Sequence, residues 1–155
     1  MSFRITGLSA ETFLHLYGLS DQDLAIRSVK RYIADKCPGF PDRVEMRDAV
    51  IGESLLLLNH VCQPANTPYR ATHAIFVREG AEKTYDRVDE VPEVMRLRLL
   101  SLRAYNAEGM MLDADVVDGK EIEAVISRFF ASPLITYIHA HNAKRGCYSG
   151  RIDRV

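Results

Sequence analysis

Hydrophobic and polar residues alternate along several short stretches of the chain, a pattern typical of β-strands. Such strands are predicted at 3–6, 73–80, 134–141 and 147–154. The uninterrupted apolar run 55–58 predicts a further strand, buried on both of its faces. Gly80 and the loop segments CPGFPDR and QPANTPYRAT punctuate these strands. The chain is therefore expected to be rich in short strands.

Helices are predicted where a capping residue precedes apolar residues at helical spacing. Ser9, Ser20 and Asp118 are suitable N-caps. The helix after Ser9 is expected to end at Gly18, and Pro92 suits the first turn of another short helix. After Asp118, one apolar stripe consists of Ile122, Val125, Ile126 and Phe129.

The segment RLLSLRAYNAEGMMLDADVVDG predicts a hairpin with the three-residue loop 107–109. Gly109 is expected to adopt the left-handed conformation in that loop. In the implied register the apolar pairs share one face: Ala104 with Leu112, Leu102 with Ala114, and Leu100 with Val116. On the other face Arg103 is expected to meet Asp113, a pair of opposite charges.

These elements predict an α+β protein in which consecutive strands outnumber alternating strands and helices. We expect an antiparallel or mixed sheet with about three helices packed on it. The length of 155 residues corresponds to a single globular domain, 1–155.

Composition narrows the classes of function. The formal net charge is -1, and no block of basic residues indicates a nucleic-acid surface. No apolar run is long enough for a membrane span, and the N-terminus does not resemble a signal peptide. Three cysteines without CxxC spacing argue against a disulfide framework. A cytoplasmic protein with reduced thiols is therefore expected, with no nucleic-acid or membrane partner; the oligomeric state is left open.

The closing segment ITYIHAHNAKRGCYSGRIDR holds the candidate chemistry. In a strand, His139 and His141 lie on one face, a spacing that zinc and other transition metals use. A zinc site would need a third ligand: Cys147, or His60 or His73 from elsewhere. If His141 pairs with Cys147 across the hairpin, the thiol joins the histidine side; a slip of one residue removes it.

Two further readings use the same hairpin. A thiol-dependent enzyme would use Cys147 as nucleophile and His141 as base. The leading hypothesis is binding of a small anionic molecule, because arginine guanidinium groups suit carboxylates and phosphates. The expected ligand-binding residues are Arg43, Arg70, His139, Asn142 and Arg145. A structural or interaction module without a pocket remains the alternative outside these classes.

Several segments together resemble one family of uncharacterised bacterial proteins of about this length, among them SFRITGL, PGFPDRV, DAVIGESLLLLNH, PYRATHAIFVREG and YIHAHNAKRGCYSGRIDR. The resemblance extends over nearly the whole chain and implies a bacterial, single-domain protein. It implies no activity, because the family is classed as a domain of unknown function. The resemblance implies that a cysteine often occupies the position where this chain has Asp42, so that only Cys37 could supply a thiol from this loop. This departure weakens redox or metal schemes that need two cysteines.

Overall fold

The computed structural model describes all 155 residues, Met1–Val155. It contains nine strands and three α-helices. The strands are β1 (Phe3–Thr6), β2 (Lys30–Ile33), β3 (Ser54–Gln63), β4 (Ala71–Arg78), β5 (Asp86–Val88), β6 (Leu99–Tyr105), β7 (Met111–Asp118), β8 (Tyr137–Asn142) and β9 (Tyr148–Arg154). The helices are α1 (Asp21–Ile26), α2 (Glu93–Arg96) and α3 (Ile122–Phe130).

The strands form two sheets. The larger has six strands in the order β5-β1-β9-β8-β6-β7, and the smaller has three in the order β2-β3-β4. Every pair of neighbouring strands is antiparallel. The α+β class is confirmed, but the single sheet that the sequence predicts is divided into two.

One face of the large sheet is covered by helices. Alternate residues of β6 and β8, such as Leu102 and Ile138, are fully buried there against Ile126 and Phe129 of α3. Met95 of α2 belongs to the same core. These side chains lie on one face because successive strand residues point to opposite faces.

The other face of the large sheet meets the small sheet. Leu56 and Leu58 of β3 and Val77 of β4 form a second core, and Leu24 of α1 joins it. Tyr148 of β9 also lies in this core, although its strand belongs to the large sheet. The face of the large sheet that carries the histidines therefore looks toward the small sheet.

Two helix predictions have different outcomes. The stripe after Asp118 is confirmed as α3, preceded by a 3-10 turn whose Lys120 amide donates to the Asp118 carboxylate. The helix predicted after Ser9 is wrong. Two 3-10 turns, Ala10–Thr12 and Leu14–Leu16, replace it, and the Ser9 side chain caps neither.

The β6–β7 hairpin has the predicted loop but not the predicted register. Gly109 has φ +84°, as expected. A β-bulge between Ala104 and Tyr105 shifts the pairing, so that Arg103 lies opposite Ala114 and not opposite Asp113. The charge pair that supported the predicted register does not form. A single extra residue moves every side chain of β7 beyond it to the other face.

Strand β7 ends the large sheet and has a free edge. The amides of Ala114 and Val116 donate 2.8 Å hydrogen bonds to the side chains of Asp113 and Asp115. Two alternating N–H groups of this last strand are thus already engaged by carboxylates. None of the helices is both long enough and apolar enough to cross a membrane.

Candidate functional site

Strand β8 places its histidines on the side of the large sheet that faces the small sheet. Alternation puts Tyr137, His139 and His141 together, as the sequence predicts. His139 lies directly opposite Arg151 of β9 and opposite Arg103 of β6. We call this set of alternating residues the histidine face.

The β8–β9 register differs from the predicted one. His141 pairs with Tyr148, because β9 begins one residue later than expected and a bulge follows at Ser149. Cys147 therefore precedes the strand and is not the cross-strand neighbour of His141. The Nδ1 atom of His141 lies 2.9 Å from the Gly146 carbonyl oxygen.

A cleft of about 430 Å³ opens at one end of the histidine face. Tyr137, His139 and Arg151 form the wall that belongs to the large sheet. The opposite wall is the end of β3 and the chain after it, including Cys62 and Gln63. Gln63 spans the two walls by donating a 2.9 Å hydrogen bond from Nε2 to the Tyr137 hydroxyl.

The chain is irregular where it borders this cleft. The β3–β4 pairing skips Cys62, which is the extra residue of a bulge. Ser149 is the extra residue of the bulge in β9, close to Arg151. Bulges re-aim side chains and are frequent beside binding sites. The sequence did not indicate Cys62 and Gln63 as site residues, because a bulge leaves no mark in a short apolar run.

Both histidines of β8 are neutral over the ordinary pH range. Burial is the main cause: it lowers the pKa of His139 to about 3 and that of His141 to about 4. Nearby positive charge on Arg103 acts in the same direction on both. A neutral imidazole has one donor and one acceptor nitrogen, so each ring offers hydrogen bonds without charge.

His139 has an unsatisfied polar atom. Its side chain is only 3% exposed, and its Nδ1 atom has no hydrogen-bond partner. The ring is surrounded by aromatic rings: the centroids of Tyr105, Tyr137 and Tyr148 lie 5.1 to 5.2 Å away. A buried polar atom without a partner costs about 1–3 kcal/mol. A bound ligand or water that supplies the partner would recover that cost.

Arg151 supplies the positive charge of the cleft. Its Nε and Nη2 atoms donate to the Asp153 carboxylate at 2.8 to 3.0 Å, and its Nη1 makes no hydrogen bond in the protein. The guanidinium carbon lies 4.1 Å from the centroid of the Tyr137 ring. The carboxylate and the ring hold the guanidinium in place, and Nη1 is left to donate to a ligand.

Arg103 is an unpaired cation on the same face. The predicted partner Asp113 lies on the other side of the sheet, and Arg103 forms no salt bridge; its Nε lies 3.4 Å from the Ser101 hydroxyl. Arg103 was not among the predicted site residues, because the predicted register paired it with Asp113. The bulge that removes this counter-ion leaves a positive charge beside His139.

Arg43, which the sequence predicts as a ligand-binding residue, is engaged inside the protein. It is 2% exposed, and its Nε donates at 2.8 Å to the Tyr148 carbonyl. Its Nη1 donates to the Pro41 carbonyl, and its Nη2 lies 3.1 Å from the Cys147 Sγ. Arg43 thus ties the loop at 37–43 to the start of β9.

The remaining predicted residues lie around the β8–β9 turn or farther away. Arg145 is exposed in that turn, and Arg70 donates to the Pro64 carbonyl in the β3–β4 loop. Asn142 lies 3.8 Å from the Cys147 Sγ through Nδ2, and its Oδ1 has no partner. The structure therefore keeps His139 at the cleft and places Asn142 and Arg145 at the opposite end of β8.

The thiol and metal hypotheses stay predictions. The Cys147 Sγ contacts Arg43 and Asn142 but forms no hydrogen bond with an imidazole. The His139 and His141 ring centroids are 6.5 Å apart, and His73 lies 4.9 Å from His141. The structure contains no group of three or more His, Cys, Asp or Glu side chains arranged to hold a metal ion.

A family model described as "Protein of unknown function (DUF1203)" matches residues 39–154. The chain belongs to this family. The match confirms the predicted resemblance and includes every residue of the cleft and the histidine face. No curated protein and no solved structure matches the chain. The family therefore assigns no activity to the cleft.

Proposed function

We propose that this protein binds a small anionic molecule in the cleft between β8–β9 and the end of β3. The observation that carries the proposal is His139, a buried neutral imidazole in the cleft wall whose Nδ1 atom has no partner. A ligand that hydrogen-bonds this ring would remove the cost of the unsatisfied atom.

The anionic character of the ligand follows from the charges around His139. Arg151 and Arg103 are positive, both histidines of β8 are neutral, and Asp153 is the carboxylate paired with Arg151. Two cations and one carboxylate leave one uncompensated positive charge. A single carboxylate or phosphate group would balance it, and the free Nη1 of Arg151 is a suitable donor.

We also propose that the protein is located in the cytoplasm. Its support is the state of the cysteines: Cys37, Cys62 and Cys147 are all free. Free thiols persist in reducing compartments. The cleft ligand would then be a small molecule of the bacterial cytoplasm.

A thermal-shift screen against small carboxylates and phosphomonoesters tests the proposal. A ligand present at about 100 times its Kd stabilises a protein by about 2.7 kcal/mol. For a chain of this length that corresponds to a rise in Tm of roughly 5–10 °C. A panel in which no compound raises the Tm would contradict the proposal.

Variants of the Arg151–Asp153 pair then locate the ligand. Arg151→Gln should raise the Kd of the best compound about tenfold or more, because it removes a charge-assisted hydrogen bond. Asp153→Asn should leave the Kd unchanged or lower it, since it keeps the guanidinium and removes the competing carboxylate. Arg27→Gln, at an exposed position of the segment after α1, is the neutral control. If Arg151→Gln and the control bind the compound with equal Kd, the ligand does not bind in the cleft at His139.

A further inference from the structure

A second cleft, of about 320 Å³, lies on a different part of the molecule. It is formed by the end of β4, the loop after it, β5, and the chain before β3. Five of its seven lining residues are charged, Glu45, Arg47, Arg78, Lys83 and Arg87, and Thr84 and Tyr85 complete it. We call it the cationic cleft.

The arginines of the cationic cleft share few carboxylates. Glu45 Oε1 accepts from Arg78 at 2.8 Å and lies 3.4 Å from Arg47 Nε, so one carboxylate serves two guanidinium groups. Arg47 also donates to Glu53, with an Nη2–Oε1 distance of 2.8 Å. The pKa of Glu53 is lowered to about 2, chiefly by its hydrogen bond from Arg47, so this carboxylate is ionised.

Two further cations of the cleft have no carboxylate partner. Lys83 and Arg87 are exposed and form no salt bridge; Arg87 donates through Nη1 to the backbone carbonyl of Asp86. The Asp86 carboxylate lies instead 3.6 Å from Arg4. Arg47 and Arg78 share the carboxylates of Glu45 and Glu53. The nearby Asp42 carboxyl group is buried, its oxygens accept from the Arg78 and Glu45 amides, and burial raises its pKa. Lys83 and Arg87 are left as two positive charges without a carboxylate.

The cationic cleft concentrates positive charge, although the chain as a whole has a formal net charge of -1. Cations that line a concave surface reinforce one another, because the low-dielectric walls of a cleft focus the field. The free donors are also varied in geometry: Lys83 has three ammonium hydrogens, and Arg87 retains Nε and Nη2. A compact ligand with several negative oxygens would meet all of them.

We propose that the cationic cleft is a second binding site, for a compact polyanion that carries at least two negative charges. Arg78 and Arg47, held by Glu45 and Glu53, form its ordered floor. Lys83 and Arg87 close on the ligand from the exposed rim. The cleft shares no lining residue with the cleft at His139, so the two proposals stand or fall separately.

Isothermal titration calorimetry of the full chain tests this site with two probes, inorganic pyrophosphate and citrate. We expect a Kd of about a millimolar or tighter at low salt for at least one of them. Affinity should fall as the salt concentration rises, because exposed charges are screened. Binding of pyrophosphate alone identifies a phosphoryl ligand, and equal binding of both identifies recognition by charge; either result supports the site.

A charge-matched pair of double variants decides where the probe binds. Lys83→Gln with Arg87→Gln should raise the Kd at least tenfold, whereas Arg27→Gln with Lys36→Gln, both exposed elsewhere, should leave it unchanged. Both double variants are made in an Arg151→Gln background, so that a carboxylate or phosphate bound at the cleft of His139 does not contribute to the measured Kd. No heat of binding with either probe, or equal Kd values in the two double variants, would overturn the proposal.

Discussion

The guanidinium of Arg43 lies in the protein interior with no carboxylate among its hydrogen-bond partners. Burial lowers its pKa, but arginine stays charged in proteins, so the charge must be stabilised where it lies. Two carbonyl oxygens and the Cys147 sulfur do this. Arg43 is therefore a structural cation that joins two distant segments, and the sequence alone offers no means of distinguishing it from a ligand-binding arginine.

Replacement of Arg43 by lysine should destabilise the protein. The ammonium group cannot reach all three acceptors, so at least one buried acceptor loses its partner, at a cost of about 1–3 kcal/mol. Urea denaturation measures the change in the free energy of unfolding. The same substitution at exposed Arg27 should change it by less than about 0.5 kcal/mol. A loss as small as that for Arg43→Lys would refute the structural role.

At the scale of single elements, strand β8 gives stability a dependence on pH. Its two histidines are neutral in the folded state, with pKa values of about 3 and about 4, whereas in the unfolded chain each has a pKa of about 6.5. As the pH falls below about 6.5, the unfolded state takes up protons that the folded state does not. The contribution of these two histidines to the free energy of unfolding is therefore fully present above that pH. It is lost progressively as the pH falls to the folded-state pKa values.

His139→Phe should flatten this dependence. Each such histidine contributes a slope of up to about 1.4 kcal/mol per pH unit within the window, and the variant has one fewer. Phenylalanine suits a site surrounded by three tyrosine rings. Urea denaturation of both proteins at about pH 7 and about pH 5 gives the two slopes. Carboxylates with lowered pKa values affect both proteins alike, so identical slopes would contradict the buried neutral His139.

The elements themselves were largely predictable, and their registers were not. Helix α3 and the Gly109 loop follow from local signals: spacing, a cap and a turn residue. The bulges at Cys62, Leu112 and Ser149 each insert one residue into a strand and leave no local signal. They decide that Arg103 has no counter-ion and that Cys147 does not face His141. These three bulges are the main reason why the arrangement of the site could not be predicted from the sequence.

At the scale of the whole molecule, Tyr148 joins the two sheets. It belongs to β9 of the large sheet, yet it packs in the core of the small one and is 4% exposed. Its backbone carbonyl accepts the hydrogen bond from Arg43. Alternation along the chain predicts which face a residue occupies, but not that a second sheet covers that face. The division into two sheets therefore could not be predicted from the pattern.

Tyr148→Ala should cost about 3–5 kcal/mol, as expected for the loss of a buried aromatic side chain. Unfolding of the variant should remain a single transition that fluorescence and circular dichroism report at the same urea concentration, because the hydrogen bond from Gln63 of β3 to Tyr137 of β8 still joins the two sheets. Tyr69→Ala, at an exposed ring, is the matched control and should cost much less. Different urea midpoints by fluorescence and by circular dichroism would show that the two sheets unfold independently in the variant.

The carboxylates of Asp113 and Asp115 protect the free edge of β7 against aggregation. An uncovered last strand is a template on which another chain can add itself, and growth of that kind leads to fibres. Here the amides of Ala114 and Val116 are already occupied by side chains of the same strand, and an incoming chain would also meet two negative charges. Two aspartate side chains thus hinder strand addition at this edge, and no helix or loop is needed to cover it.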